Sequence, residues 1–76
     1  MEIKVLAFAA AKEAMGFAEI SVNKGVAETP AELVARLAPN VDVRGWRVAL
    51  DGEFASWDEP VGVAQELALL PPVSGG

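Results

Sequence analysis

The sequence contains no cysteine, no histidine and no tyrosine. Without cysteine, neither a disulfide framework nor a thiolate metal site can hold the fold together. Without histidine, the chain lacks the commonest metal ligand and the commonest general base of enzymes. We therefore expect a fold stabilised by packing alone, with no metal site and no catalysis by this chain on its own.

Positive charge is also scarce, with six Lys and Arg residues against eleven Asp and Glu residues. The formal net charge of −5 opposes binding to nucleic acid or to an anionic membrane, and it suits basic protein partners. The apolar run from Val5 to Ala11 is interrupted by Lys12 and Glu13 before the core of a signal peptide develops. No stretch approaches the ~20 apolar residues of a membrane span. We therefore expect cytoplasmic residence, with neither nucleic acid nor membrane as a partner.

The chain of 76 residues, 53% of them hydrophobic, is expected to form one domain with a single core. Its end, Pro71-Pro72-Val73-Ser74-Gly75-Gly76, differs from the rest of the chain. The prolines fix φ and favour an extended direction, and the terminal glycines leave a backbone slim enough for a narrow channel. We therefore predict a domain over residues 1–70 and an extended tail over residues 71–76. A frayed chain end is the alternative interpretation of this composition.

The first part of the chain predicts two strands with a short helix between them. Alternating residues favour a strand over Glu2–Phe8, and a second strand, Phe17–Val22, can return beside it. The alanine-rich stretch Ala9–Met15 favours a helix, and Gly16 stands where a left-handed residue ends one. We therefore expect these elements to form the first edge of a sheet.

The clearest local signal is a helix start at Thr29. Thr29 is typical of an N-cap, Pro30 suits the first helical position, and Glu32 completes a capping box. The predicted helix runs to about Ala38, because a proline follows. Its apolar face is expected to pack on a sheet and consists of Leu33, Val34 and Leu37.

The second half of the chain predicts three strands. Asp51-Gly52 suits a two-residue turn between the strands Trp46–Leu50 and Glu53–Ser56, and a last strand is predicted over Gln65–Leu70. A hairpin, a helix across it and a final strand inserted beside the first one form the β-grasp arrangement. We therefore predict an α+β fold with a mixed sheet of four to five strands packed on one main helix.

This topology also predicts a docking surface. The first and last strands of a β-grasp sheet are parallel neighbours, so Phe8 and Leu70 are expected to lie side by side. A two-residue turn pairs Phe54 with Ala49 on the sheet face away from the helix. We predict that Phe8, Phe54 and Leu70 form an exposed apolar surface that binds a protein partner. The alternative is that one or two of them belong to the core.

Four blocks of the sequence together resemble one family: Ile3–Ala9, Lys12-Glu13 with Gly16, Ser56–Pro60, and Glu66–Gly76. The family is the small sulfur-carrier subunit of molybdopterin synthase, a ubiquitin-like β-grasp protein. The last block is the most specific, and the family usually has Gly-Asp-Glu where this chain has Ala64-Gln65-Glu66.

The resemblance implies that Gly76 carries sulfur as a terminal thiocarboxylate. An E1-like adenylating enzyme would use ATP to activate the carboxylate of Gly76, and a sulfur donor would then displace AMP. The large synthase subunit would take up the tail in a heterotetramer, supply the catalytic groups and pass the sulfur to cyclic pyranopterin monophosphate. No cofactor is expected on this chain. The inserted tail residues would be Pro71, Pro72, Val73, Ser74, Gly75 and Gly76.

Three other functions fit the same features. The chain could serve another thiolation pathway, such as thiamine thiazole synthesis, although the thiamine carrier usually lacks the pair Pro71-Pro72. A ubiquitin-like modifier would instead join Gly76 to lysines of target proteins. A β-grasp interaction module would have no chemistry at the tail.

Overall fold

A computed structural model describes residues 1–72 of the chain. All seven predicted elements are present, and their bounds differ from the predicted ones by at most two residues at either end. In chain order they are β1 (Glu2–Ala7), α1 (Ala10–Met15), β2 (Glu19–Asn23), α2 (Pro30–Leu37), β3 (Arg47–Leu50), β4 (Glu53–Ala55) and β5 (Glu66–Leu70).

The five strands form one mixed sheet in the order β2-β1-β5-β3-β4. The central strand β5 runs parallel to β1 and antiparallel to β3, and the two remaining pairs are antiparallel hairpin partners. The predicted α+β class, the β-grasp topology and the parallel pairing of the first and last strands are therefore confirmed.

Helix α2 begins as its sequence predicts. The Thr29 hydroxyl oxygen accepts a hydrogen bond from the Glu32 backbone N–H at 3.1 Å, and Glu32 Oε1 accepts one from the Thr29 N–H at 3.0 Å. This reciprocal capping box satisfies two N–H groups that a helix start otherwise leaves unpaired. Leu33 and Val34 are buried against the sheet, and Leu37 is half-buried beside them.

The core lies between α2 and one face of the sheet. Alternate residues of the strands point to this side, as the period of two requires. Val5 stands opposite Leu67, and Leu67 stands opposite Leu50 on the other side of β5. Burial of each large aliphatic side chain contributes about 1.5–3 kcal/mol. The buried cluster consists of Ile3, Val5, Ala7, Ala11, Leu33, Val34, Val48, Val61, Leu67 and Leu69.

The β3–β4 turn has the predicted conformation, with φ of 48° at Asp51 and 86° at Gly52. Asp51 also reaches across to the start of β5, where its Oδ1 accepts hydrogen bonds from the backbone N–H groups of Gln65 and Glu66, both at 3.0 Å. The turn residue therefore ties the β3–β4 hairpin to the beginning of the central strand.

Lys24 is a buried charged residue that the sequence analysis did not single out. Its ammonium group donates to the backbone oxygens of Gly62 at 2.6 Å and of Ala64 at 2.7 Å. These bonds join the segment after β2 to the segment before β5. Neither helix of the described part of the chain is long and apolar enough to cross a bilayer.

Candidate partner-binding face and tail exit

The face of the sheet opposite α2, which we call the outer face, carries an apolar row. Leu6 stands opposite Ala68, Ala68 opposite Ala49, and Ala49 opposite Phe54. Leu70 lies on the same face, two residues beyond Ala68. The row runs across four strands. Neither helix of residues 1–72 packs on it, because Ala11 of α1 and Leu33 and Val34 of α2 belong to the buried cluster on the opposite side of the sheet.

The two phenylalanines predicted for this face are exposed. Phe54 has 68% of its surface accessible, and Phe8 has 48%. Phe8 follows β1 directly, one step past the registered pair of Ala7 and Leu69, and half-buried Leu70 lies one step past the same pair on β5. Neither phenylalanine belongs to the core, so the alternative interpretation does not hold for them. Their role in binding a partner stays a prediction.

Arg47 is a member of the outer face that the sequence analysis missed. It stands opposite Leu70, and its guanidinium carbon lies 4.8 Å from the centre of the Phe54 ring. A cation at this distance over an aromatic face is attracted by the ring. The signal was present in the sequence, because Arg47 precedes Ala49 by two residues in a strand and therefore shares its face.

Charged residues border the apolar row on the side away from the end of β5. Lys4 forms an ion pair with Glu19 at 3.8 Å, and Glu66 stands opposite Lys4 on the neighbouring strand. The Lys4 and Glu19 side chains are about half exposed, so the pair contributes little stability. An apolar centre beside a charged border is the usual composition of a protein–protein interface.

The tail leaves the sheet at the end of β5. Leu70 is paired with Arg47, after which Pro71 is half-buried and Pro72 is exposed. Pro72 Cγ lies 3.7 Å from the position that a Cβ atom on Gly45 would occupy. The predicted tail residues Val73, Ser74, Gly75 and Gly76 lie outside the described residues, so their roles stay predictions.

A groove of about 460 Å³ lies between α2 and the segment that leads into β3. Its wall includes Val34, Val43, Trp46 and Trp57, and the indole N–H of Trp57 donates to the Trp46 backbone oxygen at 3.0 Å. Both tryptophans are half-buried. The lining is mostly apolar, with Arg44 as its charged residue, and it offers no nucleophile or general base.

The titratable groups also give no indication of a catalytic centre. Within residues 1–72, no cluster of three or more acidic, histidine or cysteine side chains could hold a metal ion. The hydrogen bonds from the Arg44 side chain and backbone lower the pKa of Asp42 to about 2, and this carboxylate lies on the surface. The described residues therefore offer an exposed apolar face and the exit of the tail.

Comparison with known proteins gives a family and a curated relative. A sequence model described as the ThiS family matches residues 5–76. The chain is 36% identical, over 81 aligned positions, to the molybdopterin synthase sulfur carrier subunit of Arabidopsis thaliana. The alignment covers 100% of this chain and 84% of the plant protein.

Solved structures share the fold. SAMP1 of Haloferax volcanii, a small archaeal modifier protein, has a TM-score of 0.79 and 26% identity, with 100% of both chains covered. A putative molybdopterin converting factor subunit 1 of Pyrococcus furiosus has a TM-score of 0.71 and 20% identity, covering 96% of this chain and 99% of its own. The second likeness supports the fold alone.

Proposed function

Because this chain belongs to the ThiS family of sulfur carriers, we propose that it is the small subunit of a molybdopterin synthase and carries sulfur on Gly76. The observation behind this proposal is the 36% identity to a molybdopterin synthase sulfur carrier subunit over the full length of the chain. The family match extends to residue 76 and so includes the terminal Gly75-Gly76.

The composition limits how sulfur can be carried. The chain has no cysteine, so it cannot hold sulfur as its own persulfide. In the proposed cycle the Gly76 carboxylate attacks ATP, which gives an acyl-adenylate and pyrophosphate. A hydrosulfide equivalent from a donor protein then displaces AMP and leaves a thiocarboxylate. The sulfur passes to cyclic pyranopterin monophosphate, and water supplies the oxygen that restores the carboxylate.

The described residues support separate roles for the outer face and the tail. The outer face, with Phe8, Phe54 and Leu70, would bind the large subunit in a heterotetramer and also the adenylating enzyme. The tail would enter the active site of whichever partner is bound, with Gly76 leading. Catalytic groups would belong to the partners, because the chain has no histidine and residues 1–72 hold no cluster of metal-ligating side chains.

The proposal is tested by the intact mass of the chain after expression with its own adenylating enzyme and sulfur donor. We expect the mass to rise by the difference between sulfur and oxygen, and fragmentation to assign the gain to Gly76. The thiolated chain should then convert cyclic pyranopterin monophosphate when mixed with the large subunit. An unchanged mass, under conditions that thiolate a known carrier, would contradict the proposal.

A second function, protein modification, is favoured by one observation, the TM-score of 0.79 and 26% identity to the modifier SAMP1. A modifier would form an isopeptide bond between the Gly76 carboxyl and a lysine amine, with loss of AMP from the same acyl-adenylate. Peptides bearing a Gly75-Gly76 remnant on lysines of other proteins would establish this activity. Thiolation of the chain without any such conjugates would support the sulfur-carrier function and not protein modification.

A further inference from the structure

The tail passes one turn of the chain as it leaves the body. This turn, residues 43–46, precedes β3, and we call it the exit turn. Pro72 lies against Gly45 of this turn, with Pro72 Cγ 3.7 Å from the position of a Cβ on residue 45. We infer that the exit turn directs the tail into the partner's active site and that Gly45 is the positioning residue. The inference rests on the proposed function of the tail.

The exit turn is held in place by three hydrogen bonds. The Trp46 N–H donates to the Val43 oxygen at 3.0 Å and closes the turn. The Trp57 indole donates to the Trp46 oxygen at 3.0 Å, and the Arg44 N–H donates to Asp42 Oδ1 at 3.0 Å. A turn fixed from both ends is a suitable support for the chain segment that passes it.

Gly45 suits this support for two reasons. Its φ of +81° lies in the left-handed region that glycine adopts without steric cost. Its missing side chain also leaves room beside Pro72, whose Cγ lies 3.7 Å from the Cβ position. A Cβ atom alone would be in ordinary contact with the proline ring, but the further atoms of a longer side chain would compete with that ring for space.

The two prolines keep the backbone in the direction that the exit turn sets. Each proline ring fixes φ near −65°, so the backbone at Pro71 and Pro72 has little freedom to bend back. Displacement of Pro72 would therefore move the whole segment that follows it. An error of about 1 Å at a reacting group can lower a rate about 100-fold.

Gly45 is not itself a member of the outer face, and this makes the inference testable. Phe54 is paired with Ala49 within β3, whereas Gly45 lies in the turn that leads into Arg47 at the start of β3. A change at Gly45 should leave association with the large subunit intact. It should lower only the rate at which the bound tail delivers sulfur.

The experiment compares Gly45→Asn with the matched control Gly16→Asn in the full chain. Asparagine tolerates positive φ, so both variants should fold. Gly16 has a similar φ of +85°, and no described atom lies within 4 Å of its Cβ position. We would measure the dissociation constant for the large subunit and the single-turnover rate of sulfur transfer from chemically prepared thiocarboxylate chains.

We expect Gly45→Asn to bind the large subunit with unchanged affinity and to transfer sulfur roughly 10- to 100-fold more slowly, while Gly16→Asn keeps the original rate. Equal rates for both variants would overturn the inference. An inert original chain would instead contradict the proposed function. In that case the structural part of the inference is still tested in the isolated chain by nuclear Overhauser contacts between Gly45 and Pro72. The absence of these contacts would show that the exit turn does not support the tail.

Discussion

Replacement of Phe54 by aspartate is the most direct test of the outer face. The side chain has 68% of its surface exposed, and a phenylalanine offers about 200 Å², so a partner that covers it removes about 140 Å² from water. At about 25 cal/mol per Å², this burial is worth about 3.5 kcal/mol, which is roughly a 300-fold change in affinity. Burial of the new carboxylate under the partner adds to the loss.

The same substitution should cost the isolated chain little. Phe54 lies in the edge strand β4, and its described cation–π partner is Arg47 at 4.8 Å. Loss of that exposed contact is worth about 0.5–1 kcal/mol of folding free energy. The predicted penalty on binding is therefore several times the penalty on folding.

The assay is titration calorimetry of Phe54→Asp against the large subunit, with urea unfolding of the isolated chain measured in parallel. Val63→Asp is the matched control, because Val63 is 75% exposed and lies in the segment before β5, away from the outer face. We expect binding to weaken only in Phe54→Asp. Unchanged binding by that variant would refute the outer face as the interface, and an unfolded variant would show that Phe54 is needed by the core.

Three further predictions concern the tail, the helix cap and an exposed ion pair. Deletion of Gly76 should abolish adenylation while leaving the melting temperature unchanged, and adenylation of the shortened chain would contradict the role of Gly76. Thr29→Ala should lower the free energy of unfolding by about 1 kcal/mol in urea titrations, because it removes the cap of α2; an unchanged midpoint would show that the capping box adds no stability. Arg44→Gln should raise the pKa of Asp42 from about 2 toward 3.8 in carboxyl NMR titrations. The stability contributed by the Asp42–Arg44 interaction is fully present above that ordinary value and is lost as pH falls through about 2. An unchanged Asp42 pKa in Arg44→Gln would assign the shift to another group.

Elements with local signals were predictable from the sequence. The capping box at Thr29 and Glu32 involves residues three apart, and the Asp51-Gly52 turn involves two adjacent residues, so each signal is complete within a short window. Alternation puts Leu67 and Leu69 on one face of a strand, and the structure buries both; the two-residue turn puts Phe54 on the outer face, where it is exposed. Such patterns follow from backbone geometry and need no knowledge of distant contacts.

Contacts between distant residues were not predictable in the same way. Lys24 is buried by hydrogen bonds to Gly62 and Ala64, which are 38 and 40 residues away, and a lone lysine in a sequence gives no sign of such partners. The contact between Gly45 and Pro72 likewise depends on how two segments meet at the end of the sheet. The outer face depends on both kinds of information. Alternation indicates which residues of each strand share this face, whereas the exposure of each residue depends on how the whole sheet assembles.

The central position of β5 has a consequence for how the chain folds. This strand contributes the middle of the sheet, joins β1 to β3, and lies about sixty residues from its parallel partner along the chain. Contacts of such large sequence separation slow folding, because a long loop must close before they form. A nascent chain that has not yet reached residue 70 lacks the strand that unites the two hairpins. During synthesis the sheet therefore closes only when the residues just before the tail have emerged, and the tail exit is among the last parts of the molecule to be built.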